Sequence, residues 1–135
     1  MVHVTVGAAF GARRSRPAPP GEPHSFDIAE TEHGLAVFTG RLFNQSELAA
    51  SLSGAIDVDS PAELLLAMHA REGDHFARHL VGPFAFAIQQ ADGRLVVGRD
   101  HLGLEPLYYT THGQALTFAT TIEGVLRAAG RSWTI

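Results

Sequence analysis

The chain has 135 residues, of which 45% are apolar and 18% charged, and this length and composition are typical of one globular domain with a real core. Its net charge of −4 argues against non-specific nucleic-acid binding, and the lack of cysteine excludes disulfides, thiolate metal sites and a cysteine nucleophile. No apolar run approaches the ~20 residues of a membrane span and the first residues lack a basic leader, so we expect a cytoplasmic protein without membrane partners.

The first part of the chain predicts strands around a polar loop. Valines alternate with polar residues over residues 2–6, which indicates a strand. Residues 11–23 hold four prolines and three arginines, a composition typical of a surface loop. Two further strands are predicted over residues 25–30 and 35–39, on either side of a turn at residues 31–34.

Two helices are predicted next, each from a cap at its start. Asn44 stands three residues before Glu47, which is capping-box spacing, and this helix is expected to run to about Ser53. The second helix begins with Ser60 as the cap and Pro61 as its first residue.

The second helix is predicted to bury one apolar stripe and to end at Gly73, with a further helical turn over residues 74–80. The stripe consists of Leu64, Leu65, Met68 and Phe76.

The remaining chain predicts more strands and a last helix. Phe84, Phe86 and Ile88 alternate with alanines, and a turn at residues 91–93 leads to a paired strand over residues 95–97. Further elements follow: strands at residues 107–110 and 115–119, and a helix at residues 120–129. We place the strand at residues 107–110 in the same antiparallel sheet as the hairpin before it. The segregated order of strands and helices predicts an α+β fold, with helices packed on a mostly antiparallel sheet.

Two motifs indicate sites but lack essential residues. Residues 53–57 resemble half of the S-G-G-x-D-S pyrophosphate loop, yet they lack its second glycine and follow a helix, so we interpret them as a linker. His75 and His79 have i,i+4 spacing without the glutamate of a zinc-binding HExxH helix, and we predict no metal site.

Five blocks in order resemble the class II glutamine amidotransferase domain of asparagine synthetase-like enzymes. They are TGRLFN at residues 39–44, SPAELLL at 60–66, LVGPFAFAI at 80–88, GRDHLGLEPLYY at 98–109 and LTFATT at 116–121. The resemblance implies a four-layer α/β/β/α sandwich of the N-terminal-nucleophile hydrolase type, here in a small version.

The departures from the family fall on its catalytic positions. The family uses an N-terminal cysteine whose thiolate attacks the glutamine amide, and Val2 stands there instead. Of the two residues that stabilise the oxyanion, Thr39 replaces the asparagine while Gly40 is kept. Arg41 replaces a glutamate, and Pro61 replaces the aspartate that would hold the α-amino group of the substrate. We therefore predict a degenerate pocket without catalytic residues.

A loop after the hairpin keeps the family pattern and is predicted to be either scaffold or an interface. Its residues are Arg99, Asp100, Gly103, Glu105, Pro106 and Tyr108. As scaffold, Asp100 would accept backbone N–H bonds and Gly103 would make a bend. Glu105, where the family usually has lysine, would instead meet a cation of a partner domain.

Three functions remain open. The first is a catalytically inactive domain of an amide-forming ligase, like those of beta-lactam synthetases and lasso peptide cyclases, and the missing cysteine favours the lasso cyclase. The second is a free-standing binding or scaffold module, and the third is an active glutaminase. Under the first, residues 1–130 form the domain and 131–135 begin a linker to a synthetase domain, in cis or in trans. ATP and Mg are then expected only in that synthetase, whose substrate would be a peptide or an amino-acid derivative.

Overall fold

The computed structural model describes residues 26–52, 59–112 and 115–128 of the chain. The predictions for residues 2–6, 11–23, 53–57 and 131–135 fall wholly or almost wholly outside these ranges. The elements in chain order are β1 (Phe26–Thr31), β2 (Gly34–Gly40), α1 (Gln45–Ala50), α2 (Pro61–Glu72), a 3-10 helix (Gly73–His79), β3 (Phe84–Gln90), β4 (Leu95–Arg99), β5 (Tyr108–His112), β6 (Ala115–Ala119) and α3 (Ile122–Ala128). The described residues divide into two compact units, one ending at Glu105 and the other beginning at Pro106.

The first unit contains a four-stranded antiparallel sheet in the order β1-β2-β3-β4. At one end of it Gly34 lies opposite Gln90, beside the two hairpin turns. We call this the turn end, formed by residues 31–34 and 90–95. At the other end Gly40 lies opposite Phe84, and the Asp100 amide bonds the Phe84 carbonyl at 2.9 Å. We call this the loop end, formed by that row together with residues 41–43, 81–83 and 101–105.

The hairpin between β3 and β4 confirms the predicted turn at residues 91–93. Gly93 has a φ of +87°, which a residue with a side chain rarely adopts. The Asp92 carboxylate accepts the Arg94 amide at 2.9 Å, so the aspartate stabilises the turn locally.

The start of α2 is also as predicted. The Ser60 hydroxyl oxygen accepts the Glu63 amide at 3.2 Å, and Pro61 is the first helical residue. Asp27 on β1 adds a second cap, since its Oδ2 accepts the Ser60 hydroxyl at 2.9 Å and the Ala62 amide at 2.8 Å. These bonds fix the helix to the sheet. The helix ends at Gly73, whose φ is +61°, and the 3-10 helix follows.

The core of the first unit lies between α2, the 3-10 helix and one face of the sheet. The predicted stripe is buried, with Leu64, Leu65, Met68 and Phe76 each at 0% exposure. The Phe76 ring packs on Phe86 with centroids 5.4 Å apart. A Cβ on Gly98 of β4 would lie 2.6 Å from the Phe86 ring, so the glycine leaves the space that the ring occupies. Phe84 and Ile88 complete the apolar row on β3.

The capping box predicted at Asn44 is wrong. No side-chain hydrogen bond caps α1, and the helix ends at Ala50 rather than near Ser53. The Asn44 amide instead donates to the His79 carbonyl at 2.8 Å and accepts the Val81 amide at 3.2 Å. The backbone between the 3-10 helix and β3 needs partners, and Asn44 supplies them from a position distant in sequence.

The second unit contains β5 and β6 paired antiparallel, followed by α3. The strand predicted at residues 107–110 is present as β5. Its predicted membership of the hairpin's sheet is wrong, because within the described residues β5 pairs with β6 in a two-stranded sheet. The fold is thus mixed α and β with antiparallel sheets, which agrees with the predicted class. The four-layer sandwich stays a prediction.

Candidate functional site

Thr39 and Glu105, two of the departures from the family pattern, are in direct contact. Thr39 lies near the end of β2 and is 4% exposed. Its hydroxyl donates to Glu105 Oε1 at 3.1 Å. The hydroxyl at the predicted oxyanion position is therefore already bonded to a carboxylate of the same chain.

Gly40, which the family resemblance predicts to be the retained oxyanion residue, is required by the backbone itself. Its φ is +100°, and a Cβ there would lie 2.2 Å from the Pro83 carbonyl oxygen. That same oxygen accepts the Arg41 amide at 2.7 Å. The close approach of the two segments explains why glycine is needed at this position even without catalysis.

Asp100 organises the loop that follows β4. The residue is 4% exposed, and its Oδ1 accepts the Leu104 amide at 3.0 Å. Its Oδ2 accepts the amides of Glu105 at 2.9 Å and Phe84 at 3.4 Å. The predicted role of Asp100 as an acceptor of backbone N–H bonds is confirmed.

These contacts set the ionisation of Asp100. Burial raises the pKa of the carboxyl, but the backbone amides of Glu105, Leu104 and Phe84 outweigh burial and hold the pKa below its ordinary value. The carboxylate is therefore the form that the folded loop stabilises. The negative charge of the Asp100 carboxylate is thus held beneath the loop by hydrogen bonds from backbone amides of the same chain.

The bend predicted at Gly103 is also confirmed, with a φ of +67°. The guanidinium of Arg99 lies beside it, 3.2 Å from where a Cβ would stand. A side chain at residue 103 would thus be strained in its backbone and would crowd Arg99. Gly103 therefore serves the shape of the loop.

The other predicted site residues are more dispersed. Arg41 is exposed at the loop end. Pro61 begins α2 beside Asp27, which pairs with Phe38 and so faces the helices, whereas Thr39 faces the opposite side of the sheet. The structure thus joins Thr39 and Glu105 but places Pro61 on the other face. Val2 lies outside the described residues. Pro106 and Tyr108 belong to the second unit, where Tyr108 begins β5.

A contribution of Asn44 to the loop end was missed from the sequence. Asn44 bonds the backbone on both sides of Leu80 and so holds the segment that leads to Pro83 and Gly40. The only local signal at Asn44 was its spacing to Glu47, which indicated a different role.

A separate cleft of about 580 Å³ lies near the turn end. Its charged centre is Asp74, which bonds His69 at 3.1 Å and also contacts Arg94. Hydrogen bonding to His69 lowers the pKa of Asp74 against the opposing effect of burial, and the charge of Arg94 lowers it further. The Gln90 amide nitrogen, also in the cleft lining, is buried without a hydrogen-bond partner in the described structure.

The described part of the chain has neither a metal-binding cluster nor a membrane-spanning helix. In residues 26–52, 59–112 and 115–128, no group of three His, Asp or Glu side chains is arranged to hold a metal ion. No helix among those described here is both long enough and apolar enough to span a membrane.

Comparison with known proteins identifies the family. The family described as "Glutamine amidotransferase domain" matches residues 26–135. The chain therefore belongs to the class II glutamine amidotransferase domains, of the kind found in the asparagine synthetase family.

Three relatives illustrate the relation. Asparagine synthetase [glutamine-hydrolyzing] 1 of Bacillus subtilis (strain 168) is 33% identical over 112 residues, covering 80% of this chain and 17% of that protein. Asparagine synthetase B of Escherichia coli (strain K12) is 38% identical over 87 residues, covering 61% and 16%. Carboxyethyl-arginine beta-lactam-synthase of Streptomyces clavuligerus is 34% identical over 73 residues, covering 54% and 14%. The chain thus spans only 14% to 17% of the length of these relatives.

Proposed function

We propose that this chain is a catalytically inactive amidotransferase-like domain of an ATP-dependent, amide-forming ligase. In that ligase it supports the synthetase domain or helps to shape the substrate cavity. The observation that carries the proposal is the hydrogen bond from Thr39 to Glu105 beside Gly40.

The physical reason is electrostatic. An amidotransferase must stabilise negative charge on the oxygen of the attacked amide with donors aimed at it. Here the hydroxyl at that position already donates to a carboxylate 3.1 Å away. Loss of one oxyanion donor costs about 3–4 kcal/mol of transition-state stabilisation, and a neighbouring carboxylate opposes the developing charge further.

The nucleophile and the substrate contacts point the same way. Val2 has no group that can attack an amide. Pro61 replaces the aspartate that would hold the α-amino group of the substrate, and Arg41 replaces a glutamate of the family pattern. Pro61 has a structural reason for its place, since it starts α2 beneath the caps formed by Ser60 and Asp27.

The type of ligase follows from the proposed lack of glutamine hydrolysis, because the domain then supplies no ammonia. A domain that releases no ammonia suits a synthetase whose amine is already part of its substrate, as in a beta-lactam synthetase or a lasso peptide cyclase. One relative is named carboxyethyl-arginine beta-lactam-synthase, which supports this group. We place the protein in the cytoplasm, with ATP and Mg held by the synthetase and a peptide or amino-acid derivative as the substrate.

The four-layer sandwich belongs to the same proposal. The family membership supports it, and each unit has one sheet, followed in the second unit by the single described helix α3.

The test is the glutamine dependence of the complete ligase. ATP-dependent amide formation by the natural protein or complex should proceed at the same rate with and without glutamine. A requirement for glutamine that ammonium salts replace would contradict the proposal, because it would show that the domain supplies ammonia.

A second candidate is a free-standing binding module. The cleft of about 580 Å³ near the turn end favours it, since its volume suits a small ligand and it lies away from the family's site. In that case the chain should bind a small molecule without any associated synthetase. Substitution of Arg94 should then weaken that binding.

A further inference from the structure

The large apolar side chains that are exposed in the first unit are not evenly spread. Among its described residues there are four: Phe43, Val81, Leu102 and Leu104, with 69%, 53%, 76% and 63% of their surface exposed. Single exposed apolar residues are common, whereas a group in one place is typical of an interaction surface.

The backbone places these four residues at the loop end. Phe43 is paired with Val81, whose carbonyl accepts the Phe43 amide at 2.8 Å. Each of the four lies within four residues of the row formed by Gly40, Phe84 and Asp100. The turn end instead presents charged residues such as Glu32, Asp92 and Arg94. The two ends of one sheet thus differ in their exposed side chains, which are apolar at the loop end and charged at the turn end.

The charges at the loop end indicate what kind of surface fits there. The carboxylates of Asp100 and Glu105 are bonded within the chain. Two arginines, in contrast, are exposed: Arg41 within the loop end, and Arg99 at the end of β4 directly before it. A partner surface that fits here would therefore be apolar at its centre and acidic at its rim. In such interfaces the aromatic and arginine side chains, here on the loop end, give most of the binding energy.

We propose that the apolar patch of Phe43, Val81, Leu102 and Leu104 is the surface onto which the synthetase part of the ligase docks. This rests on the proposed function, and it adds the contact surface. The relatives support this occupant, because at least 83% of each of the three described above lies outside the matched region. A stable contact with a synthetase would bury about 800 Å² on each side.

Photo-crosslinking tests the surface directly. p-Benzoylphenylalanine is placed at residue 43 or 102 of the natural full-length protein or complex, and in matched controls at residue 32 or 92 of the turn end. Crosslinked peptides are identified by mass spectrometry. We expect positions 43 and 102 to link to the ATP-binding synthetase and positions 32 and 92 not to do so. No link from the loop end, or equal links from both ends, would overturn the proposal.

A charge substitution gives a second measurement. Leu102→Glu should weaken retention of the synthetase roughly tenfold or more and leave the melting temperature of the chain unchanged, because the side chain is 76% exposed. Asp92→Lys is the control and should retain the synthetase fully. Full retention by Leu102→Glu would count against the patch.

The two proposals fail in different ways. A synthetase that crosslinks only to the turn end leaves the proposed function intact and refutes the docking surface. A chain that hydrolyses glutamine refutes the proposed function, whatever surface the synthetase contacts.

Discussion

The two ends of the four-stranded sheet are stabilised by different kinds of hydrogen bond. At the turn end the bonds that close the two hairpins are local: the Thr31 hydroxyl oxygen accepts the His33 amide, and Asp92 accepts the Arg94 amide two residues on. At the loop end the bonds join distant segments, with Asp100 16 residues from Phe84 and Glu105 66 residues from Thr39. The predicted oxyanion position at Thr39 and Gly40 therefore lies where long-range contacts determine the structure.

This difference affects function. The turn end can change with little effect on the rest of the unit, because each hairpin turn is closed by its own residues and the longer-range contact of Arg94 with Asp74 is half-exposed. The loop end holds a buried carboxylate and a glycine that contacts a carbonyl, so its geometry does not depend on any catalytic residue. A scaffold role needs only this fixed geometry.

The largest effect is expected in the core between the two ends. Phe86→Ala should destabilise the protein by about 3–5 kcal/mol, because the ring is 4% exposed and packs on Phe76 and Phe84. Chemical denaturation measures the loss, with Phe86→Leu as the milder control. A loss below about 1 kcal/mol would show that this ring is not part of the core.

At the loop end, Asp100→Asn should lower the melting temperature by about 5 °C or more, since three backbone amides lose a charged acceptor. Because the folded-state pKa of Asp100 is lowered, its ionisation stabilises the fold above an unfolded-state pKa near ~3.9. That stabilisation disappears as the pH falls through the lower folded-state pKa.

The difference in stability between the wild type and Asp100→Asn should therefore shrink on acidification. Denaturation curves between neutral and acidic pH check this, with Asp92→Asn at the turn end as the control. A gap that stays constant as the pH falls would contradict the assigned role of Asp100.

The contact between Thr39 and Glu105 should have a smaller effect. A double-mutant cycle of Thr39→Val and Glu105→Ala, each of which removes one partner of the bond, is expected to give a coupling energy of about 1 kcal/mol, typical of one partly buried hydrogen bond. Additive effects of the two substitutions would mean that the bond does not form in solution.

The smallest effect is expected at the turn end. Arg94→Ala should change the melting temperature by no more than about 2 °C, because the ion pair with Asp74 is half-exposed and such pairs contribute little. A larger loss would show that the turn end is not independent of the rest of the unit.

The parts of the fold that sequence predicted well are those set by neighbouring residues. Ser60, Pro61 and Glu63 define the start of α2 within four positions, and the hairpin turn at Asp92 and Gly93 is equally local. Asn44 was misassigned because its partners lie 35 and 37 residues away. Local spacing carries no information on such contacts.

The candidate site shows the same limit. Thr39 and Glu105 were each identified as departures by alignment to family motifs, but nothing in the sequence indicated that they touch. Their contact depends on how the loop after β4 folds back on β2. That path is set by Asp100 and Gly103 through bonds to the backbone, which spacing alone does not reveal.

The most direct test of the central claim is ammonia release from glutamine. The chain as it stands, and its Val2→Cys variant, should both give rates equal to a no-protein blank, because Thr39 stays bonded to Glu105 and Pro61 offers no charge to the substrate. Hydrolysis by the wild type well above the blank, or strong activity after the single Val2→Cys change, would contradict the account of an inactive domain.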